Sequence, residues 1–435
     1  MRHNRREFFI CVIPSVLAFA LSGVYAIVDG FFVGNSIGDV GLSTINIAYP
    51  VTALLQAAGT GIGMGGAVQY AIRAAQGKQK EQNAYFSGTL ILLLISSLSI
   101  MLSAFFARRP ILILLGAQGE VFELGEEYLF VISLGSIFQI FGTGVVPLIR
   151  NMGGSLYAMG SMAAGFAANI ILDYFFVWVF PFGIKGAAAA TVIGQAVTAA
   201  GGMLYFVWKR CPFLLPDINR KKTVYMTILK IAVSPFGITF SPMLTLMLMN
   251  RFAMRTGGTE AVACYACVAY VTTIVYMLLQ GVGDGSQPLI SQYYGRQDKE
   301  KMRHAGSMAY RMAAAVAAVS AVVLYFARKV AGSLFGASSA VNQEVAEALP
   351  FFLAGFLFLS YTRITTSVFY ASEKSIQSYI LVYAEAVFLF VFLLFLPDRM
   401  GISGLWSSVL GAQIMTAILA KLQNSSFVKR KCIVR

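Results

Sequence analysis

Charge is scarce in this chain. Only 12% of its 435 residues are charged while 58% are hydrophobic, whereas soluble domains carry about 25% charged residues. No stretch is polar enough for a separate soluble domain. Histidine is nearly absent: His3 and His304 both lie in polar flanks, so neither suggests catalysis. The five cysteines are scattered, and Cys264 and Cys267 have no second pair or histidine nearby to complete a metal or redox site. A glycine-rich phosphate loop ends in Gly-Lys-Ser/Thr, and that ending does not occur here. The chain is therefore not expected to be an enzyme, to use ATP or to hold an organic cofactor. Any work it does must be driven by an ion gradient or by a partner.

What the chain has instead is apolar length. Runs of roughly 20 residues, enough to cross a bilayer, cover about 8–33, 43–72, 84–106, 121–149, 155–180, 183–208, 226–254, 260–294, 305–327, 345–370, 375–397 and 401–422. The fold class is an all-α polytopic membrane protein of twelve transmembrane helices. Arg2, Arg5 and Arg6 precede the first run in the manner of a secretory signal, but the run is too long and others follow it. The net charge of +14 invites a nucleic-acid partner. Its distribution argues otherwise: Lys and Arg gather at 2–6, 73–80, 209–230, 296–311 and the C-terminus. With both termini cytoplasmic these are all inner segments, the positive-inside pattern of a multi-pass plasma (inner) membrane protein. The expected surroundings are lipid, not nucleic acid, and a monomer is expected.

The two halves resemble each other. Pro14, Ala48 and Tyr49 recur as Pro235, Ala269 and Tyr270 at an offset of 221; Gly63, Gly65 and Gln69 recur as Gly281, Gly283 and Gln287 at 218; Gly183, Ile184 and Gln195 recur as Gly401, Ile402 and Gln413, again at 218. An even number of spans per half keeps the copies parallel, one of the standard transporter plans. The expected organisation is a six-helix lobe over 1–210, a basic cytoplasmic linker over 211–225 and a second six-helix lobe over 226–435. A cavity between the lobes would then be the substrate path.

Charges at membrane depth are costly and usually mark an ion or substrate route. Asp29 and Asp173 are such charges. At 1.5 Å per residue, Asp29 lies about 7–8 Å before an outer end near Gly34. Asp173 lies roughly 12 Å before the turn at Pro181, and Thr191 roughly 12 Å after Gly183, by the same rise. Asn169, four residues before Asp173, shares its helix face. Such an oxygen set suits a hard cation or a shared proton. The alternative is structural, with each Asp capping a broken helix. In the second half Asn250 stands where the repeat would place an acid, and Asp284 lies within a glycine-loosened stretch that it either serves functionally or stabilises. Glu385 and Arg363 are further intramembrane charges without an evident partner. Met243, Met247, Met277 and Tyr276 offer polarizable and aromatic surface suited to varied lipophilic cations, or simply face lipid and neighbouring helices. Gly59, Gly61, Gly63, Gly65 and Gly66 are expected to allow close packing or bending.

Several of these residues carry a family resemblance. Pro14, the stretch from Val28 through Asp29 to Gly34, Ala48–Pro50, Asn169–Asp173, Gly183–Thr191 and Gly283–Gly295 together resemble the multidrug and toxic compound extrusion (MATE) family over essentially the whole chain. The resemblance implies a secondary active antiporter exporting organic, cationic amphipathic compounds in exchange for H⁺ or Na⁺ by alternating access. It also implies Asp29, Asn169, Asp173 and Thr191 as the cation-coupling set, and Pro14 as a bending point of the first helix. A family branch that carries acids on helices seven and ten departs from this chain, which has none on helix seven. The alternative from the same broader superfamily is a flippase for lipid-linked saccharide precursors, which would need basic residues lining its cavity.

Overall fold

The computed structural model describes residues 2–213, 221–333 and 338–430. Residues 214–220 of the expected linker, and Cys432, lie outside them. The described chain is helical almost throughout: α1 (Arg2–Ala75), α2 (Gln79–Leu114), α3 (Gly119–Asn151), α4 (Ser155–Asp173), a π-helical turn (Tyr174–Val179), α5 (Gly183–Trp208), α6 (Lys221–Gly295), α7 (Lys299–Ala331), α8 (Ser339–Ala371) and α9 (Ser375–Arg430).

Among the described residues, ten helical segments are long and apolar enough to cross a membrane, rather than the twelve runs read from the sequence. The difference has a physical origin. Lys222–Gly295 and Ser375–Ser425 hold 74 and 51 residues, far more than the roughly 20 that one crossing uses. Each is interrupted at a single glycine rather than by a loop: Gly258 (φ 67°, ψ −152°) and Gly401 (φ 59°, ψ −137°). Gly38 does the same within α1 (φ 75°, ψ −160°). That region of backbone space is essentially confined to glycine, so one residue redirects the helix without an intervening polar loop. The first segment consequently runs to Gly38, not to Gly34.

Two compact units emerge. One comprises Phe9–Phe240 with Ser291–Asp298; the other comprises Met1–Phe8, Ser241–Ile290 and Lys299–Arg435. Within the first, the Val40–Ala75 segment sits innermost, 78% of its most apolar window being buried. Its glycines explain how. A Cβ on Gly59 would meet Thr143 Oγ1 at 2.0 Å, one on Gly63 the Gly144 carbonyl at 2.1 Å, one on Gly66 Thr89 Oγ1 at 1.7 Å, and one on Gly65 the Ile228 carbonyl at 2.4 Å. Small residues let membrane helices approach to backbone contact, and this stripe does so against α2, α3 and the start of α6. At one end of this unit, Glu126 of α3 pairs with Arg108 (3.4 Å) and Arg109 (2.9 Å), and Glu127 pairs with Lys185 (2.9 Å).

Candidate functional site

The first unit gathers four of the residues read from the sequence. Asp173 closes α4 and begins the π-helical turn. Such turns widen a helix and recur at functional sites. Asp173 is completely buried and Asn169, one turn earlier, nearly so. The α4–α5 contact that seals them is close because it is built on glycine: a Cβ on Gly194 would meet the Gly165 carbonyl at 2.8 Å and the Asn169 Cβ at 2.9 Å. Asp29, half-buried on α1, brings its carboxyl group within hydrogen-bonding reach of Asp173. Two ionised carboxylates have no proton to place in that bond. Accordingly Asp29 Oδ1, both Asp173 oxygens and both side-chain polar atoms of Asn169 are enclosed without a hydrogen-bond partner. Thr191 reaches the same group through Tyr25. The Tyr25 hydroxyl lies beside Thr191, whose own hydroxyl donates to the Ala187 carbonyl at 3.1 Å.

Two tyrosines at this site escaped the sequence reading. Tyr25 lies one turn before Asp29 and stacks on Phe166 with ring centres 5.1 Å apart. Its four-residue spacing from Asp29 was a signal that could have found it. Tyr128 of α3 is buried and lies close enough to Asp29 and Asp173 for their charges to act on its phenol; nothing in its local sequence marks it. Trp178 of the π turn packs edge-on against Phe32 at 4.9 Å, joining the segment after Asp29 to the segment after Asp173. Pro14 is buried within α1, which stays helical through it.

The second unit is differently furnished. Asp284 is buried and accepts hydrogen bonds from Gln280 Nε2 (3.2 Å) and from the Tyr370 hydroxyl (3.3 Å), which also bonds to Ser367 at 3.0 Å. Asn250 is half-buried elsewhere on α6. Met243 is buried, Met277 and Tyr276 are half-buried, and Met247 is 43% exposed. Only Tyr276 of these four lines a cavity together with Arg363 and Glu385. Those two charges, without an evident partner in the sequence, act on one another.

Comparison with known proteins adds an independent line. A family model described as MatE matches residues 14–175 and 231–395. The multidrug export protein MepA of Staphylococcus saprophyticus is 25% identical over 413 residues, 94% of this chain and 91% of the relative. MepA of Staphylococcus aureus is 24% identical over 414 residues, with the same coverage of both chains. A transporter of the MOP superfamily from Pyrococcus furiosus superposes with a TM-score of 0.91 at 21% identity, covering 98% of this chain and 96% of that one. The outward-facing structure of a multidrug resistance MATE family transporter gives 0.89 at 21% identity, covering 98% and 97%. Both structures speak to the fold.

Proposed function

Because the chain belongs to the MatE family, we propose that it is a multidrug efflux transporter, a secondary active antiporter that exports organic cations in exchange for H⁺ or Na⁺. The relatives named as multidrug exporters match this chain nearly end to end, which favours drug export over the lipid-linked flippase reading. The proposed architecture is twelve crossings in two lobes, 1–210 and 226–435, joined through 211–225 in the plasma membrane. Gly38, Gly258 and Gly401 support that count, since each gives a long helix a place to reverse.

One observation carries the coupling site: a buried pair of carboxyl groups within hydrogen-bonding reach of each other, with enclosed oxygens that lack donors. Leaving a buried polar atom unpaired costs about 1–3 kcal/mol, more when it is charged. The empty, doubly ionised pair is therefore an unfavourable state that an incoming ion relieves. A proton would sit between Asp29 and Asp173. Na⁺ would take oxygen from both, with Asn169 Oδ1 and Thr191 Oγ1 available beside them, the hard-donor set such a cation prefers. In either case loading removes the repulsion between α1 and the π turn. Tyr25, stacked on Phe166, and Phe32, packed on Trp178, pass the change to the first helix. Pro14 supplies that helix with a position lacking a backbone donor, where it bends at least cost. Loading in the outward-open state would promote drug release, and ion release on the inside would readmit substrate.

The test is Asp29→Asn. Efflux of a fluorescent organic cation from cells should collapse although the variant reaches the membrane in normal amount. Undiminished efflux would overturn the assignment. Imposing H⁺ and Na⁺ gradients separately on the wild-type protein in liposomes identifies the coupling ion.

A further inference from the structure

The end of α7 and the start of α8 border an open cavity of about 410 Å³, whose walls carry Arg328, Lys329, Asn342, Gln343 and Glu347. One side chain ties the walls together. Asn342 donates through Nδ2 to the Lys329 carbonyl (2.7 Å) and accepts through Oδ1 from the Ser333 amide (3.1 Å). Arg328 is fixed along its own helix: Nη1 donates to the Tyr325 carbonyl at 2.8 Å, and the guanidinium lies 3.8 Å from the centre of the Tyr325 ring. A guanidinium has five N–H donors, so most remain for a ligand. Lys329 is exposed. Glu347 is the one acid among the described lining residues, and its Oε1 already accepts from Gln343 Nε2 at 3.3 Å. The cavity thus sets two cations against one carboxylate. Beside it, α7 turns an apolar face outward: Val319, Val322, Val323 and Phe326 are exposed, Phe326 by 81%. Spacings of three and four residues put them on one side of the helix. On a segment long and apolar enough to cross a membrane, that side lies in lipid. Tyr325 and the two cations then stand at the membrane–water boundary, where amphipathic aromatic rings gather.

We propose that this cavity binds the phosphodiester headgroup of an anionic phospholipid, with the phosphate between Arg328 and Lys329 and the acyl chains along the 319–326 face. Charge selects the lipid class. A headgroup of net charge −1 balances the cavity, whereas a zwitterionic one leaves a positive charge uncompensated. The guanidinium fork suits two phosphate oxygens, and the ammonium adds a point charge beside it. The start of α8 contributes in the same sense: Ser338 Oγ accepts from the Val341 amide at 3.3 Å, and the positive end of the helix dipole favours an anion nearby. A free phosphate would meet the same cations but gain nothing from the apolar face, which is why the lipid is favoured. Topology alone does not account for these cations. Arg328 and Lys329 fall outside the basic segments at 2–6, 73–80, 209–230, 296–311 and the C-terminus. With cytoplasmic termini they lie on the outer side, where Lys and Arg are less frequent. The proposal goes beyond the multidrug-export reading and does not depend on it.

Titration of the purified full chain in detergent with dioctanoyl phosphatidylglycerol tests this, with thermal unfolding reporting saturation. Dioctanoyl phosphatidylcholine, glycerol phosphate and inorganic phosphate are titrated alongside. Phosphatidylglycerol should bind at least about tenfold more tightly than each of the others, a difference of roughly 1.4 kcal/mol. Arg328→Gln and Lys329→Gln should each weaken it about fivefold, matching the roughly 1 kcal/mol that one basic side chain contributes beside an anionic membrane surface. Arg399→Gln removes an exposed charge elsewhere on the same unit and should leave binding unchanged. Glu347→Gln should tighten it, a direction that damage to the fold does not produce. Phe326→Asn should weaken phosphatidylglycerol and leave glycerol phosphate as it was. An equal loss in Arg399→Gln would mean that surface charge in general, not this cavity, holds the lipid, and overturns the proposal. Inorganic phosphate bound as tightly as the lipid overturns it in favour of a free anion. A wild-type protein that does not prefer phosphatidylglycerol to phosphatidylcholine, or weaker binding in Glu347→Gln, overturns it as well. Transport is not measured, so the outcome is separate from that of the efflux test.

Discussion

Replacing Asp173 by Asn should separate activity from stability, and in opposite directions. Asp173 is completely buried, both its oxygens lack a donor, and Asp29 Oδ1 beside it lacks one as well. Asparagine has nearly the same shape but brings an amide that can donate to the Asp29 carboxylate. It removes one buried negative charge and satisfies one enclosed acceptor. An unsatisfied buried polar group costs about 1–3 kcal/mol, so the variant should unfold no more easily than wild type and up to that much less easily. Transport should suffer, because an amide neither exchanges a proton at this position nor neutralises a cation. Gradient-driven accumulation of drug in proteoliposomes should fall at least about tenfold, the equivalent of roughly 1.4 kcal/mol of lost coupling. Thermal unfolding in detergent and drug accumulation under imposed H⁺ or Na⁺ gradients are the paired measurements. Full accumulation would refute a coupling role. A variant that is clearly less stable would refute the premise that the carboxylate lacks partners in the resting structure.

Other consequences follow from the same geometry. Gly63→Val should be destabilising by about 1–3 kcal/mol, the usual cost of overpacking, because even its Cβ would stand 2.1 Å from the Gly144 carbonyl; loss of monodisperse protein on size exclusion would reveal it, and normal behaviour would mean that the helices separate readily. Tyr25→Phe should keep the stacking on Phe166 but lose the hydroxyl beside Thr191; its efflux should weaken, while thermal unfolding shifts by only about 0.5–1.5 kcal/mol. Lys185→Ala should cost below about 1 kcal/mol, the range of exposed ion pairs, since more than half of the lysine side chain is open; a large loss of thermal stability would indicate that its bond to Glu127 holds the helix ends together.

Much of this arrangement was legible in the sequence because membranes simplify the reading. Apolar length alone marked the long helical segments, and a lone acid in such a run stood out without help from neighbours. Depth counting placed Asp29, Asp173 and Thr191 at similar levels, and the structure brings all three into one group together with Asn169. What escaped was whatever depends on hydrogen-bond register or on distant chain. The π turn after Asp173 reflects a shift of backbone partners that no residue type announces. Gly258 and Gly401 interrupt their helices at a single residue each, with no loop between the two helical parts for the sequence to announce. Tyr128 is a buried tyrosine on a third helix, indistinguishable in the sequence from ordinary packing. Arg363 and Glu385 stand on successive helices, and only folding shows that they line one cavity.

Asp29 and Asp173 have the same sign, so their neighbourhood is incomplete until something positive arrives; occupancy changes the energy of the helices that carry them. A like-charged pair is suited to sensing an ion gradient, because two such charges held together are unfavourable until a counter-charge joins them. A double variant, Asp29→Asn with Asp173→Asn, should therefore lose little more gradient-driven export than either single variant, because groups that act as one site are not additive. Losses that simply multiply in transport assays would show that the two carboxyl groups act independently, and the shared site would have to be abandoned.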